Sequence, residues 1–336
     1  MPGLLDRYRS TGADLPFGNP LAAHDVAMEG YFWRFTLPES GRVVIALAGI
    51  NRAADGHWST LAIAAHPGGF LSDTEHPSGY ADPDRLGAYA DDAFRGTTHR
   101  VHADLEAARL DVRITDQRFW PRRRFGGSSY FQSVPALNQY WHPWLLGGRA
   151  EGTAIIDGEV WDLTGAQVYG EKNWGKGGFP DYWWWGQAQG FADPNACVAF
   201  AGGQISAGPL RTEVTAVVVA LPDGTVFRLG NPVTSPVTTV VADDRWTLRG
   251  RNHLWSIEIE GSAPLSDAHI LPVPLPSERR NVPGALEHLG ATLTVTVRRR
   301  GAVYWTGTSH LAALEHGGLE RAQAEVTRRE QIAPDL

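Results

Sequence analysis

Three consecutive tryptophans and two glutamines near the middle of the chain, in DYWWWGQAQGF (181–191), could form a binding surface. Side chains alternate between the two faces of a β-strand, so one face would carry Trp183, Trp185, Gln187, Gln189 and Phe191. Each buried amide needs hydrogen-bond partners, and a core built only for stability rarely contains two of them. The pattern therefore predicts a pocket that orients the polar end of a ligand. The alternative is that this face is exposed and the opposite face packs.

The segment before this strand, YGEKNWG (169–175), combines charge with aromatic side chains. Glu171, Lys172 and Asn173 lead into a loop rich in glycine, which permits close approach of the backbone to a ligand or local mobility. We interpret these residues as part of the same candidate site. An ordinary ion pair between Glu171 and Lys172 at the surface is the alternative.

Strands are expected to position these residues, because strand patterns occupy most of the chain. The clearest are 42–50, 108–116 and 255–261, and hairpins are predicted at 153–163, 217–230 and 291–307. Only 319–331 has a clear helical pattern, with a short helical turn at 284–289. Short strands separated by glycine and proline turns predict an all-β protein, built as antiparallel barrels or sandwiches with few short helices.

The sequence also contains a weak internal repeat. Two pairs of segments align in the same order, 29–50 with 181–205 and 157–171 with 300–315. In the first pair, Trp33 aligns with Trp185. This order indicates two tandem β domains, expected at 14–172 and 173–336, and chance similarity between strand-rich segments is the alternative. The candidate site would then lie at the domain junction, where ligand pockets often form.

The overall composition limits the possible functions. The chain has 336 residues and a net charge of −7, which argues against electrostatic binding to nucleic acid. The single cysteine, Cys197, excludes an intrachain disulfide and favours a reducing cytoplasm. The N-terminus lacks a signal-peptide pattern, and no apolar run reaches the length of a membrane span. No convincing metal-ligand spacing or nucleotide-binding motif occurs, so we expect no metal and no cofactor.

Five motifs resemble those of the tocopherol cyclases, plant and cyanobacterial enzymes that close the chromanol ring, and of their bacterial relatives. They are EGYF (29–32), WHPWLLGGRAEG (141–152), YGEKNWG (169–175), FPDYWWWGQ (179–187) and ALEHGG (313–318). Tyr31 and Phe32 stand where Trp and Tyr are usual in the family, and His316 replaces a Val. The resemblance implies two tandem lipocalin-like β-barrels, in agreement with the repeat.

The reaction that this resemblance implies closes an oxygen ring on a prenylated hydroquinone. A double bond takes up a proton, and the neighbouring phenol oxygen attacks the tertiary cation, so no redox cofactor is needed. Three features are required: an acid that stays protonated near pH 7, aromatic faces that tolerate a transient cation, and exclusion of water. The expected partner is a hydrophobic small molecule, either a prenylated aromatic compound or another terpenoid.

The candidate proton donors are acids next to aromatic clusters, namely Glu29, Glu171 and Asp181. We favour Glu171 or Glu29, and the choice between them depends on Lys172. If Lys172 pairs with Glu171, it lowers the pKa of that carboxyl and makes Glu29 the better donor.

The expected substrate contacts are aromatic and polar side chains of the same motifs: Tyr31, Trp33, His142, Tyr169, Asn173, Trp174, Trp183, Trp185, Gln187 and Glu315. Trp183 and Trp185 would stabilise the cation, while Gln187 and Asn173 would hold phenol oxygens. His142 would accept the phenol proton, unless it is a structural residue.

Other functions remain open from the sequence. Water could add to the double bond, or another terpenoid or polyketide could be cyclised. A non-catalytic carrier of a hydrophobic molecule would have the same aromatic cavity without a buried acid. Two basic clusters, at 121–127 and 297–301, are interpreted as solvated strand ends, with weak peripheral contact to anionic lipid headgroups as the alternative.

Overall fold

Two antiparallel sheets and two short helices make up the fold. The computed structural model describes residues 3–15, 17–121, 129–208 and 210–332. Helix α1 (Leu4–Arg9) lies near the start of the chain and α2 (Leu319–Ile332) near its end. Neither described helix is long and apolar enough to cross a membrane. The prediction of an all-β protein with few short helices is confirmed.

The first sheet contains thirteen strands among the described residues. They are β1 (Met28–Leu37), β2 (Arg42–Ala53), β3 (Gly56–His66), β4 (Phe70–His76), β5 (Tyr80–Ala81), β6 (Gly87–Ala90), β7 (Phe94–Thr97), β8 (Arg100–Leu105), β9 (Ala108–Thr115), β10 (Gln139–Leu145), β11 (Arg149–Ile156), β12 (Glu159–Asp162) and β13 (Gln167–Gly175). Their order is β4-β3-β2-β1-β13-β11-β9-β8-β7-β6-β5, with β10 beside β13 and β12 beside β11.

The second sheet contains ten strands in the described part of the chain. They are β14 (Trp183–Ala188), β15 (Cys197–Ala207), β16 (Leu210–Ala220), β17 (Val226–Leu229), β18 (Val237–Val241), β19 (Arg245–Arg251), β20 (Trp255–Ser262), β21 (His269–Leu275), β22 (Arg280–Arg299) and β23 (Ala302–Gly317). Their order is β17-β16-β15-β14-β23-β22-β20-β19-β18, with β21 beside β22.

Both sheets follow one strand order, as expected for a duplicated unit. In each, the first strand pairs with the last, β1 with β13 and β14 with β23. The next three strands of the chain extend the sheet on one side. The first sheet continues to Gly175 and the second begins at Trp183, so the expected boundary at 172/173 falls within β13. The division into two domains stays a prediction.

Buried apolar residues form one core inside each sheet and a third cluster between the sheets. Trp33 lies in the first core, and Trp184 lies in the second. Trp185, which the sequence repeat aligns with Trp33, lies in the cluster between the sheets together with Phe32 and Trp183. The repeat is therefore out of register by one residue here, and a shift of one residue moves every side chain to the opposite face of a strand.

Local sequence signals predicted the turns correctly, but they predicted the short helical segment wrongly. Asp157 and Gly158 take positive φ angles in the turn between β11 and β12, as a tight two-residue hairpin requires. Arg300 and Gly301 do the same between β22 and β23. The helical turn expected at 284–289 is wrong, because this segment lies within β22 and pairs with β21 and β23.

Candidate active site

A cavity of about 200 Å³ lies between the two sheets. Strands β1, β10 and β13 of the first sheet face β14, β15, β21, β22 and β23 of the second across it, and we call it the inter-sheet cavity. Its wall is mainly aromatic and aliphatic, with a few polar side chains. Six of the residues singled out from the sequence line it: Tyr31, Glu171, Asn173, Trp183, Trp185 and Glu315.

Glu171 is a buried carboxyl in the wall of this cavity, with three hydrogen-bond donors around one of its oxygens. The Tyr169 hydroxyl donates to Oε2 at 2.6 Å, and the indole nitrogens of Trp141 and Trp185 each donate to it at 2.8 Å. Burial raises the pKa of Glu171 to about 7, although these hydrogen bonds oppose the rise. Because the donors occupy Oε2, a proton held by this carboxyl has to reside on Oε1.

Glu315 and Glu287 form a second acidic group in the same wall. They are direct cross-strand neighbours on β23 and β22. Burial raises the pKa of Glu315 to about 7, and a hydrogen bond from the Trp183 indole nitrogen opposes the rise. Burial, followed by the charge of Glu315, raises the pKa of Glu287 well above its ordinary value. The cavity therefore contains three carboxyl groups that are hard to ionise.

Lys172 pairs with Glu29 and not with its neighbour in the sequence. Its Nζ lies 2.7 Å from Glu29 Oε2 and donates to the carbonyl oxygen of Ala22 at 2.8 Å. The backbone nitrogens of His24 and Asp25 also donate to Glu29, each at 2.8 Å. Burial acts to raise the pKa of Glu29, but Lys172 and the side chain of His24 outweigh it, and the pKa is lowered. The structure argues against Glu29 as a proton donor, because its carboxyl is held ionised.

The alternation of side chains along β13 separates the Glu171 carboxyl from the Lys172–Glu29 ion pair. Glu171 points into the inter-sheet cavity, whereas Lys172 is buried with Glu29 on the other face of the strand. The surface ion pair considered from the sequence is wrong on both counts, since Glu171 and Lys172 are buried and do not pair with each other.

Several other candidates lie away from the cavity. Asp181 has a side chain that is 77% exposed and lies 3.9 Å from Arg211, so it is not an acid in apolar surroundings. Trp33 packs in the first core. Trp174 stacks on His24 and donates to the carbonyl oxygen of Gly12.

His142 and Tyr169 are buried but lie outside the cavity lining. The ring of His142 is nearly perpendicular to that of Trp120, and burial lowers the pKa of His142 to about 3, so it stays neutral near pH 7. The hydroxyl of Tyr169 donates to Glu171.

Gln187 on β14 and Gln189 just after its end are both buried, as the pocket interpretation required, but they bind protein groups. Gln187 accepts a hydrogen bond from Arg34 at 3.2 Å, and Gln189 donates to the carbonyl oxygen of Val168 at 3.2 Å. The alternative of an exposed face is wrong, because every residue of β14 is buried. Phe191 follows the end of β14 and lies in the second core, so it does not share the glutamines' surroundings.

Sequence reasoning missed three residues that shape the site. Glu287 lies in no motif and in no aligned repeat segment, and its partner on β23 is distant in sequence. Arg34 is fully buried and donates to the carbonyl oxygens of Leu289 and Leu311 across the two sheets. Trp141 opens a recognised motif, and that motif was the available signal for its contact with Glu171.

The basic cluster at 121–127 lies almost entirely outside the described residues, since 122–128 are not part of them. The cluster at 297–301 lies at the end of β22 and in the turn that follows. It resembles the solvated strand end expected from the sequence.

Comparison with known proteins agrees with the architecture. Residues 89–318 match the family described as "Tocopherol cyclase-like". The "Probable tocopherol cyclase, chloroplastic" of Oryza sativa subsp. japonica is 27% identical over 213 residues. This alignment covers 57% of the chain and 42% of the rice protein. The chain therefore matches less than half of the length of that curated relative.

Two solved structures share the fold at low sequence identity. CghA, crystallised with Sch210972, is 10% identical, with a TM-score of 0.56 over 88% of this chain and 89% of CghA. Kievitone hydratase from Nectria haematococca is 10% identical, with a TM-score of 0.52 over 95% of this chain and 93% of the hydratase. These structures show the fold alone. The family match spans more than half of the sequence, and the chain belongs to the tocopherol cyclase-like family.

Proposed function

We propose that this protein is an enzyme that protonates a prenyl double bond and closes an oxygen ring on an aromatic, quinol-type substrate. The observation that carries the proposal is Glu171, a carboxyl with a pKa of about 7 in the wall of an aromatic cavity. A general acid works best when its pKa lies near the working pH. Substrate and product are isomers, so the reaction needs no redox cofactor.

The hydrogen bonds around Glu171 suit a proton donor. Its proton resides on Oε1, and the three donors at Oε2 stabilise the carboxylate that remains after the proton has left. The Trp185 indole contributes in two ways, since its N–H binds the carboxyl and its ring lines the cavity.

The aromatic wall suits the cationic intermediate. Trp183 and Trp185 line the cavity, and the face of an indole attracts a cation by about 0.5–2 kcal/mol. Apolar side chains of β21, among them Leu271 and Val273, exclude water that would otherwise quench the cation. A carrier of hydrophobic molecules has no need for a buried acid at this place, which favours the enzyme over the carrier.

The test uses Glu171→Gln with a prenylated methylhydroquinone as substrate. Ring closure should fall by roughly 10²-fold or more, the usual contribution of a general acid. Asp181→Asn is the matched control, because Asp181 is an exposed acid two residues before β14, and it should keep the wild-type rate. Circular dichroism checks that both variants fold.

The product mass separates the competing reactions. Ring closure leaves the substrate mass unchanged, whereas hydration adds one water. Wild-type turnover by folded Glu171→Gln would contradict the assignment of the donor. A product that carries an added water would show that the enzyme is a hydratase and not a cyclase, with Glu171 still as the proton donor.

A further inference from the structure

We propose that Glu287 and Glu315 share one proton and that Glu315 is the base which takes the proton from the attacking hydroxyl group of the substrate. This inference rests on the proposed function and gives the cavity a second acid–base group. It makes Glu315 a catalytic residue and Glu287 a positioning residue.

The two carboxyl groups are held close together by the sheet. Glu287 and Glu315 are directly opposite each other on β22 and β23, and directly opposed side chains have Cβ atoms about 4.5–5.5 Å apart. Both residues line the inter-sheet cavity. Two carboxylates at such a distance in an apolar site cannot both ionise, so the pair retains one proton and carries one negative charge.

The surroundings decide which member carries the negative charge. The indole nitrogen of Trp183 donates to Glu315, and a donor stabilises the ionised form of a carboxyl group. Glu287 is 1% exposed, and its Oε1 has no hydrogen-bond partner among the described residues. Glu287 is therefore the protonated member, and its proton is donated to Glu315.

Charged groups around the pair come from the first sheet. Arg34 on β1 attracts the negative charge, and Glu171 on β13 repels it. The second sheet contributes the Trp183 hydrogen bond from β14 and apolar side chains from β21. One net negative charge on the pair is thus partly balanced by Arg34, which is itself fixed by two backbone carbonyls.

The proposed reaction balances with these groups alone. Glu171 gives its proton to one carbon of the double bond, whose π electrons form the new C–H bond and leave a tertiary cation. The hydroxyl oxygen of the substrate forms the C–O bond with a lone pair, and its proton passes to Glu315. After product release, the proton returns from Glu315 to Glu171 through the cavity, and the enzyme is restored.

An O-methylated substrate separates the two roles. In a prenylated hydroquinone with the attacking oxygen methylated, no hydroxyl proton can leave, but Glu171 can still protonate the double bond reversibly. In D₂O this exchange introduces deuterium into the prenyl chain. Exchange on the methyl ether therefore reports the acid, and ring closure of the free phenol reports acid and base together.

The expected result is a split between the two measurements. Glu315→Gln should lower ring closure by roughly 10²-fold, and Glu287→Gln, which keeps the base and an N–H that can donate to it, should lower it by less. Both variants should leave exchange on the methyl ether nearly unchanged. Glu171→Gln should lose both. Ring closure at the wild-type rate in Glu315→Gln, or an equal fall of closure and exchange, would overturn the proposal.

If the wild type does not close the ring, the proposed function is refuted. The carboxyl pair can then still be tested by a measurement that needs no substrate. Infrared absorption of protonated carboxyl groups should persist in the wild type at about pH 9, where Glu171 is ionised. It should disappear in Glu287→Gln, because Glu315, whose pKa is about 7, is then ionised. In Glu315→Gln burial still keeps Glu287 protonated, so the absorption should persist there at a shifted frequency, because its hydrogen-bond partner has changed. Absence of this absorption in the wild type, its persistence in Glu287→Gln, or an unshifted frequency in Glu315→Gln would refute the pair itself.

Discussion

The ionisation of Glu171 should make the stability of this protein depend on pH, and the substitution Glu171→Gln should remove that dependence. Glu171 is 5% exposed, so its raised pKa applies to a carboxyl that water hardly screens. A glutamine can present its carbonyl oxygen to the three donors that now bind Oε2 and turn its amino group toward the cavity. The variant should therefore keep the local structure.

The sign and size of the effect follow from the two pKa values. The folded protein holds this proton more tightly than the unfolded chain, because burial raises the pKa from 4.5 to about 7. The contribution to stability is thus fully present below pH 4.5 and is lost as the pH rises through about 7. One pKa unit corresponds to about 1.4 kcal/mol, so the full loss amounts to about 3 kcal/mol.

Urea unfolding at pH 5 and pH 8.5 measures this effect. The free energy of unfolding of Glu171→Gln, relative to the wild type, should rise by roughly 2–3 kcal/mol between these two pH values. The comparison with the wild type cancels the other groups that titrate in this range. Glu106→Gln is the matched control, since Glu106 is exposed in the turn between β8 and β9, and it should show no such change.

A constant difference between Glu171→Gln and the wild type across this pH range would refute the reasoning. It would mean that the Glu171 carboxyl has its ordinary pKa in the folded protein. The donor assigned under the proposed function would then lack its physical basis, whatever the activity of the variant.

Three further outcomes are expected. Lys172→Met should lower the free energy of unfolding by about 3–5 kcal/mol in urea denaturation, because it leaves the buried carboxylate of Glu29 without its ion-pair partner. The double variant Lys172→Met/Glu29→Gln should recover much of this loss. Gly317→Ala should weaken binding of a prenylated hydroquinone in a fluorescence titration, because the added Cβ would lie 1.8 Å from the Trp183 ring. Gly177→Ala is the control, since a Cβ added there would have no atom within 4 Å. Equal binding by both variants would contradict the expectation. Initial rates of ring closure should fall as the pH rises above about 7, since the proposed donor acts only when protonated, and a rate that continues to rise above this pH would count against it.

Local sequence patterns were sufficient for the class of fold. Period-two alternation and glycine turns predicted strands and hairpins, because these features depend on residues close in the chain. The motif around 169–187 brought Glu171, Trp183 and Trp185 into one hypothesis, and the structure places all three in the wall of one cavity. The repeat predicted a duplicated topology but not its register, since aligned aromatic residues do not reveal which face of a strand is buried.

The partners of the acids could not be read from the sequence. Lys172 follows Glu171 in the chain, but it pairs with Glu29 because β1 lies beside β13 in the sheet. Glu287 meets Glu315 only because β22 and β23 form a long hairpin whose register places them opposite each other. A pKa depends on burial and on neighbouring charges, and both are created by these long-range pairings.

The sequence by itself determined that the chain forms strands and carries an aromatic, acid-bearing segment at its centre, because alternation, turn residues and motifs are local properties. The tertiary structure alone decided which carboxyl groups are ionised. Sheet pairing places Glu29 beside a lysine, whereas Glu171 lies among indole and phenol donors and forms no ion pair with any described residue. Whether a carboxyl group keeps its proton depends on neighbours that the chain brings together only by folding.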